Sequence, residues 1–94
     1  MTIKKLSNMP YAQAHVVVSG DTITLVSYTT TVAAIKNNWL EVYGLYSATT
    51  RRHIGAFMRE YTGLGYSTAK QLYIDGMSLN IETGEVINLE DEAL

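Results

Sequence analysis

The stretch SATTRRHI, residues 47–54, decides the fold, because the hydrophobic period changes across it. Downstream, Thr50, Ile54, Phe57, Met58 and Tyr61 recur at i, i+4, i+7, i+8 and i+11, one face of a helix. Ser47, Thr49 or Thr50 can cap its start, and TGLG at 62–65 supplies glycines to end it. Upstream the period is two. AHVVVS at 14–19 and TITLVSY at 22–28 are strands, and the Gly20-Asp21 pair between them suits a type II′ hairpin. The β-branched run Thr29-Thr30-Thr31-Val32 keeps the chain extended. It either bends within one long strand or turns tightly into a third, VAAIK. Asn37-Asn38 tolerates the positive φ of a further turn, and WLEVY at 39–43 alternates as the return strand.

Beyond the first helix, STAKQLYIDG predicts a second, with Ser67 as N-cap, Ala69, Leu72 and Tyr73 as its buried face and Gly76 past its end. NIETGEVINL has the form of a short hairpin about Thr83-Gly84, with Ile81, Val86 and Ile87 available to pack. The expected fold is α+β: a small antiparallel sheet of three to four strands packed against two helices, with a short C-terminal hairpin. Residues 1–94 read as a single domain, with 1–10 and 90–94 as flexible ends.

Composition narrows the chemistry. The 94 residues include no cysteine, which excludes disulfides, thiolate metal sites and cysteine nucleophiles. Two histidines without HxxxH or HExxH spacing give no zinc motif, so neither a metal nor another cofactor is expected. No apolar run approaches the roughly 18 residues of a membrane span, and the two lysines of the opening MTIKKLSNMPYAQ are followed by no apolar stretch of signal-peptide length. A cytoplasmic protein without membrane contact is expected. The net charge of −2 hides an asymmetry. Residues 1–70 hold all seven Lys and Arg against Asp21, Glu41 and Glu60, a net of +4; residues 71–94 hold six acids and no base, a net of −6.

The helix start raises the functional question. The first turn of a helix presents free N–H groups and about half a positive charge, so each cation there costs about 0.3–1 kcal/mol at an exposed site. Arg51, Arg52 and His53 occupy that end, with hydroxyls from Thr49 and Thr50 beside them and Arg59 seven residues after Arg52 on the same outward face. Hydroxyls, N–H groups and guanidinium forks together suit an anion. Gly55, costing about 1 kcal/mol relative to Ala inside a helix, suggests close approach of something at that point. The anion can equally be internal: the acidic end Glu90, Asp91 and Glu92, or Glu82 or Glu85 docked on Arg51 or Arg52. Tyr43 and Tyr46 are candidate interface aromatics near the basic turn. His53 is the one plausible general base, and no spacing marks a catalytic triad, so no catalytic residue is assigned. Residues 51–73 have the length of a helix-turn-helix, but the second helix carries only Lys70 and ends in Asp75, poor for a groove of phosphates.

Ser27, Tyr28, Thr30, Val32 and Ala33, followed by Tyr46, Ser47, Thr49, Thr50, Arg52, His53 and Ile54, form the pattern SY-x-T-x-VA with S-x-TT-x-RHI. In it the chain resembles a family of small uncharacterised proteins encoded by phages, plasmids and other mobile elements of Gram-positive bacteria. The resemblance covers roughly residues 14–62 and implies no activity and no site residues. By analogy with such genomic company it implies a non-enzymatic binding protein that contacts a host protein, in its sharpest form an inhibitor of a defence system of the anti-CRISPR kind. The alternative is a nucleic-acid or anion-binding module using the basic helix start at 49–53. A homodimer stays open.

Overall fold

The computed structural model describes residues 1–88. Its strands are β1 (Thr2–Lys4), β2 (Ala14–Ser19), β3 (Thr22–Ser27), β4 (Thr30–Lys36), β5 (Trp39–Val42), β6 (Met77–Asn80) and β7 (Val86–Asn88). Two helices, α1 (Ala48–Tyr61) and α2 (Tyr66–Asp75), lie between β5 and β6. The strands form one antiparallel sheet in chain order, β1 to β7. The α+β class holds, but the sheet has seven strands instead of three to four. The C-terminal hairpin is not a separate unit. Its first strand pairs with β5 through Trp39↔Asn80 and Leu40↔Leu79, so β6 and β7 extend the sheet.

The turns follow local chemistry. Gly20 has φ +57° in the two-residue β2–β3 turn, and Asn37 and Asn38 have φ of 50° and 71° in the β4–β5 turn. The TTT run resolves as a tight turn: Tyr28 takes φ 56°, held by its N–H donating to the Gln13 carbonyl at 2.7 Å, and β4 begins at Thr30. One residue later the register slips, Leu25 pairing with Ala33 and Val26 with Thr31, which makes Val32 a bulge. The bulge changes the phase of alternation, and Val32 to Ile35 are all buried.

Ser47 caps α1, its hydroxyl accepting from the Thr50 N–H at 3.2 Å. Thr50, Ile54, Phe57 and Met58 are buried as the spacing predicts, and Tyr61 packs its ring 5.1 Å from that of Phe57. Gly55 and Ala56 are buried as well, so α1 is covered on more than its sheet side. The β1–β2 loop supplies part of the cover. Its Leu6 is wholly buried, its Ser7 N–H donates to the Glu60 carboxylate at 2.7 Å, and Asn8 Nδ2 donates to the Ala56 carbonyl at 3.4 Å. Residues 1–10, expected as a loose end, thus hold a paired strand and one of the largest buried side chains. Burying a Leu or Phe fully is worth about 1.5–3 kcal/mol. Leu6 and Phe57 tie the loop and α1 to the same core, with Leu25 and Leu40 from the sheet.

Helix α2 departs from expectation at its start and on its face. Gly65 is the N-cap and makes no side-chain hydrogen bond, while Ser67 lies inside the first turn. Ala69 and Leu72 are buried, but Tyr73 is 45% exposed. Gly76 ends the helix in the left-handed region as predicted. In the β6–β7 turn Asn80 Oδ1 accepts from the N–H groups of Glu82 and Thr83, and Gly84 takes φ +81°. Ile81 packs on the core, whereas Val86 is half exposed.

Candidate anion-binding groove

The first turns of α1 divide their side chains between two environments. Inward, Thr50 and His53 meet Ser27 at the end of β3. Ser27 Oγ lies 3.0 Å from Thr50 Oγ1 and 2.8 Å from His53 Nδ1, and the Ser47 hydroxyl donates to Thr50 Oγ1 at 3.3 Å. Ser27, Thr50 and His53 are 2%, 4% and 1% exposed, so this is a sealed polar chain inside the core. The bonds admit one continuous polarity. Ser47 donates to Thr50, and Thr50 to Ser27 and Ser27 to an unprotonated Nδ1 completes the run. Burial lowers the His53 pKa below the usual 6.5 and favours the neutral ring, whose unprotonated Nδ1 can accept in that arrangement. The Tyr28 ring lies 5.8 Å from the His53 ring, tilted by 50°.

Outward, Arg51, Arg52 and Arg59 are exposed and line one open groove of about 420 Å³ with Met9, Gly55 and Tyr66. Among the described residues none of the three guanidiniums pairs with a carboxylate. Glu82 instead accepts from Asn38 Nδ2 at 3.0 Å, which removes it as an internal partner, and Glu85 makes no ion pair with the arginines either. Glu90, Asp91 and Glu92 lie outside the described residues. Gly55 forms the floor between Arg52 and Arg59, where Tyr66 approaches: a Cβ on Gly55 would stand 3.4 Å from Tyr66 Cβ. The Tyr66 hydroxyl is buried and has no hydrogen-bond partner.

The family model of a family of unknown function (DUF8033) matches residues 2–76. The chain belongs to that family. No curated protein and no solved structure matches it. The DUF8033 match ends at Gly76, so it takes in β1 to β5 and both helices and leaves the β6–β7 hairpin outside.

Within the DUF8033 region the structure separates the residues that sequence alone grouped as one site. Arg51, Arg52 and Arg59 share the groove. Thr50 and His53 are committed to Ser27, and Thr49 is half buried and does not line the groove. At the start of α1 the Thr50 N–H bonds the Ser47 hydroxyl and the Arg51 N–H the Ser47 carbonyl. The candidate groove is lined by side chains on the helix flank. Tyr43 belongs to another cluster. Its hydroxyl donates to Glu41 at 2.7 Å, Lys36 Nζ lies 5.7 Å from its ring centre, and Lys36 pairs with Glu41 at 3.5 Å. Desolvation, with the Glu41 hydrogen bond, raises the Tyr43 pKa, and the contact with Tyr43 raises that of Lys36. Tyr46 folds over Gly44, where a Cβ would meet its ring at 2.5 Å. Met9 and Tyr66 had no signal in the sequence; they reach the groove only through the fold.

No group of three or more acidic or histidine side chains among the described residues could hold a metal ion, and no helix among them is long and apolar enough to cross a membrane.

Proposed function

We propose that this chain is a binding protein without chemistry of its own, and that the arginine groove is where it grips an anionic group of a macromolecular partner. The observation that carries this is the set of three exposed guanidiniums on one groove with no carboxylate partner among the described residues. An arginine offers five donors and no acceptor, so a cluster of three left unpaired is matched by a phosphate or carboxylate. The groove's size falls within the roughly 300–1,000 Å³ of ordinary ligand sites. Catalysis has weaker support. Ser27 and His53 have the spacing of a nucleophile and its base, but at 2% and 1% exposure a substrate does not reach them.

The phage or mobile-element background implied by the sequence resemblance gives such binding a context: a small product that intercepts a host component, counter-defence being the sharpest version. An acidic protein surface and a phosphate backbone would both use the same three arginines.

Fluorescence anisotropy at low salt tests the proposal, with labelled single- and double-stranded oligonucleotides and a Glu/Asp-rich peptide as probes. At least one anionic probe should bind, weakening with salt, and Arg52→Ala/Arg59→Ala should lose tenfold or more of that affinity with an unchanged melting temperature. The proposal fails if no anionic probe binds, or if the double variant binds like the wild type.

A further inference from the structure

A second groove, of about 470 Å³, lies where β1, the start of β2 and the β3–β4 turn meet, lined by Lys4, Lys5 and His15 with Ile3, Gln13 and Tyr28 among others. Among the described residues neither it nor the arginine groove has an acid in its lining, whereas two further grooves include Asp75 and Asp21. Together the two acid-free grooves take up five of the chain's seven Lys and Arg residues. They flank a single turn of the β1–β2 loop. Met9 lines the first, Ala12 lines the second, and the Ala12 N–H donates to the Met9 carbonyl at 3.1 Å. That bond closes a turn, which keeps its two ends within about 7 Å of each other. Tyr11 stands on this turn with 95% of its surface exposed, and Tyr28 in the second groove is 52% exposed.

From this layout we infer that the two grooves form one path for a single-stranded nucleic acid, its phosphates on Arg51, Arg52 and Arg59 at one end and on Lys4 and Lys5 at the other, with bases against Tyr11 and Tyr28. The inference rests on the anion-binding reading of the arginine groove and names its ligand. A single strand is favoured over a duplex on two grounds. Exposed tyrosine faces can stack only on bases that are not already paired. A strand can also bend over the Met9–Ala12 turn, which a duplex with a persistence length of about 150 base pairs cannot follow. An acidic peptide would satisfy the arginines but leave the tyrosines and the second groove without a role.

The test uses the full chain and fluorescein-labelled oligo(dT) and oligo(U) of 4 and 16 nucleotides, titrated by anisotropy between 50 and 200 mM salt. Five contacts on a single strand predict a slope of log affinity on log salt of about −3.5, so the 16-mer should lose about 100-fold across that range. In Lys4→Ala/Lys5→Ala the slope should fall to about −2 and the loss to about 20-fold. The 4-mer, with three internucleotide phosphates, cannot pair all five cations, and its slope should be shallower than that of the 16-mer. Tyr11→Ala removes an exposed ring that does not belong to the core, and should weaken the 16-mer three-fold or more. The inference is overturned if length makes no difference, if the lysine variant keeps the wild-type slope, or if the duplex binds as well as the single strand. Binding of the acidic peptide alone, abolished by Arg52→Ala/Arg59→Ala, would overturn it while leaving the anion groove standing.

Discussion

On its inner side the start of α1 presents Thr50 and His53 to Ser27, and every polar contact there closes on the protein itself. On its outer side, one residue away along the chain, Arg51 and Arg52 have no acidic partner among the described residues, and Arg59 repeats this two turns later. The same eight-residue stretch therefore does two separate jobs. Its inner half joins α1 to β3 by a buried chain of hydroxyls ending on a neutral imidazole. Its outer half keeps cations in water where a helix start disfavours them. A buried hydrogen bond costs most when one partner is removed, whereas an exposed unpaired charge contributes little to folding. Substitutions on the inner side should register in stability, and those on the outer side in binding.

The largest stability effect is expected at Ser27→Ala. The change leaves both Thr50 Oγ1 and His53 Nδ1 without the oxygen they share, in a site with almost no access to water. Stranding a buried polar group costs about 1–3 kcal/mol. In a domain of this size that lowers the melting temperature by at least about 4 °C. A melting temperature within a degree of the wild type would mean that water replaces Ser27, and that the inner side is not sealed.

A smaller, graded effect should appear with pH. Because burial lowers the folded-state pKa of His53, the unfolded chain binds more protons than the folded one once the pH drops below about 6.5. The stability from the neutral ring is thus complete above that pH. It declines on acidification by at most about 1.4 kcal/mol per pH unit, levelling off beneath the folded-state pKa. Urea unfolding at pH 7.5, 6.5 and 5.5 should show this decline in the wild type and less of it in His53→Gln. An equal decline in the two proteins would assign the pH dependence to other groups.

Legibility in the sequence followed the two sides of α1. The helix could be read because Ile54, Phe57 and Met58 keep a strict period, while its cap stayed open among Ser47, Thr49 and Thr50 until the fold selected Ser47. The Asn37-Asn38 and Gly20-Asp21 turns were equally plain, since few residues tolerate their φ angles. The sheet was undercounted for a physical reason. β1 is three exposed residues, so it carries no alternation, and β6 starts immediately after Gly76 without a turn motif of its own. For the site, the arginines were visible as a charge anomaly. That Thr50 and His53 face away from them was not, because the contact that holds them is 23 to 26 residues distant in Ser27. The second cationic groove was illegible too: Lys4 and Lys5 lie far from His15 and Tyr28 in sequence and meet only through the β1–β2 pairing and the β3–β4 turn.

Gly55 lies on the boundary between the two sides, and Gly55→Ala is the smallest and most discriminating change. The sequence suggested that glycine is needed there for close approach. The nearest atom to an added methyl would be Tyr66 Cβ at 3.4 Å, with Arg59 Nη1 at 3.6 Å, both ordinary contacts. The methyl therefore fits, and replacing Gly by Ala at a compatible helical position stabilises by about 0.4–1 kcal/mol. The melting temperature should rise by about 2–8 °C. The same methyl stands on the floor of the groove between Arg52 and Arg59, so affinity for the anionic probe should fall as stability rises. Opposite movement of the two quantities would assign Gly55 to ligand clearance. A fall in both would instead mean that α2 packs on α1 too closely for any side chain, and that the glycine serves the fold.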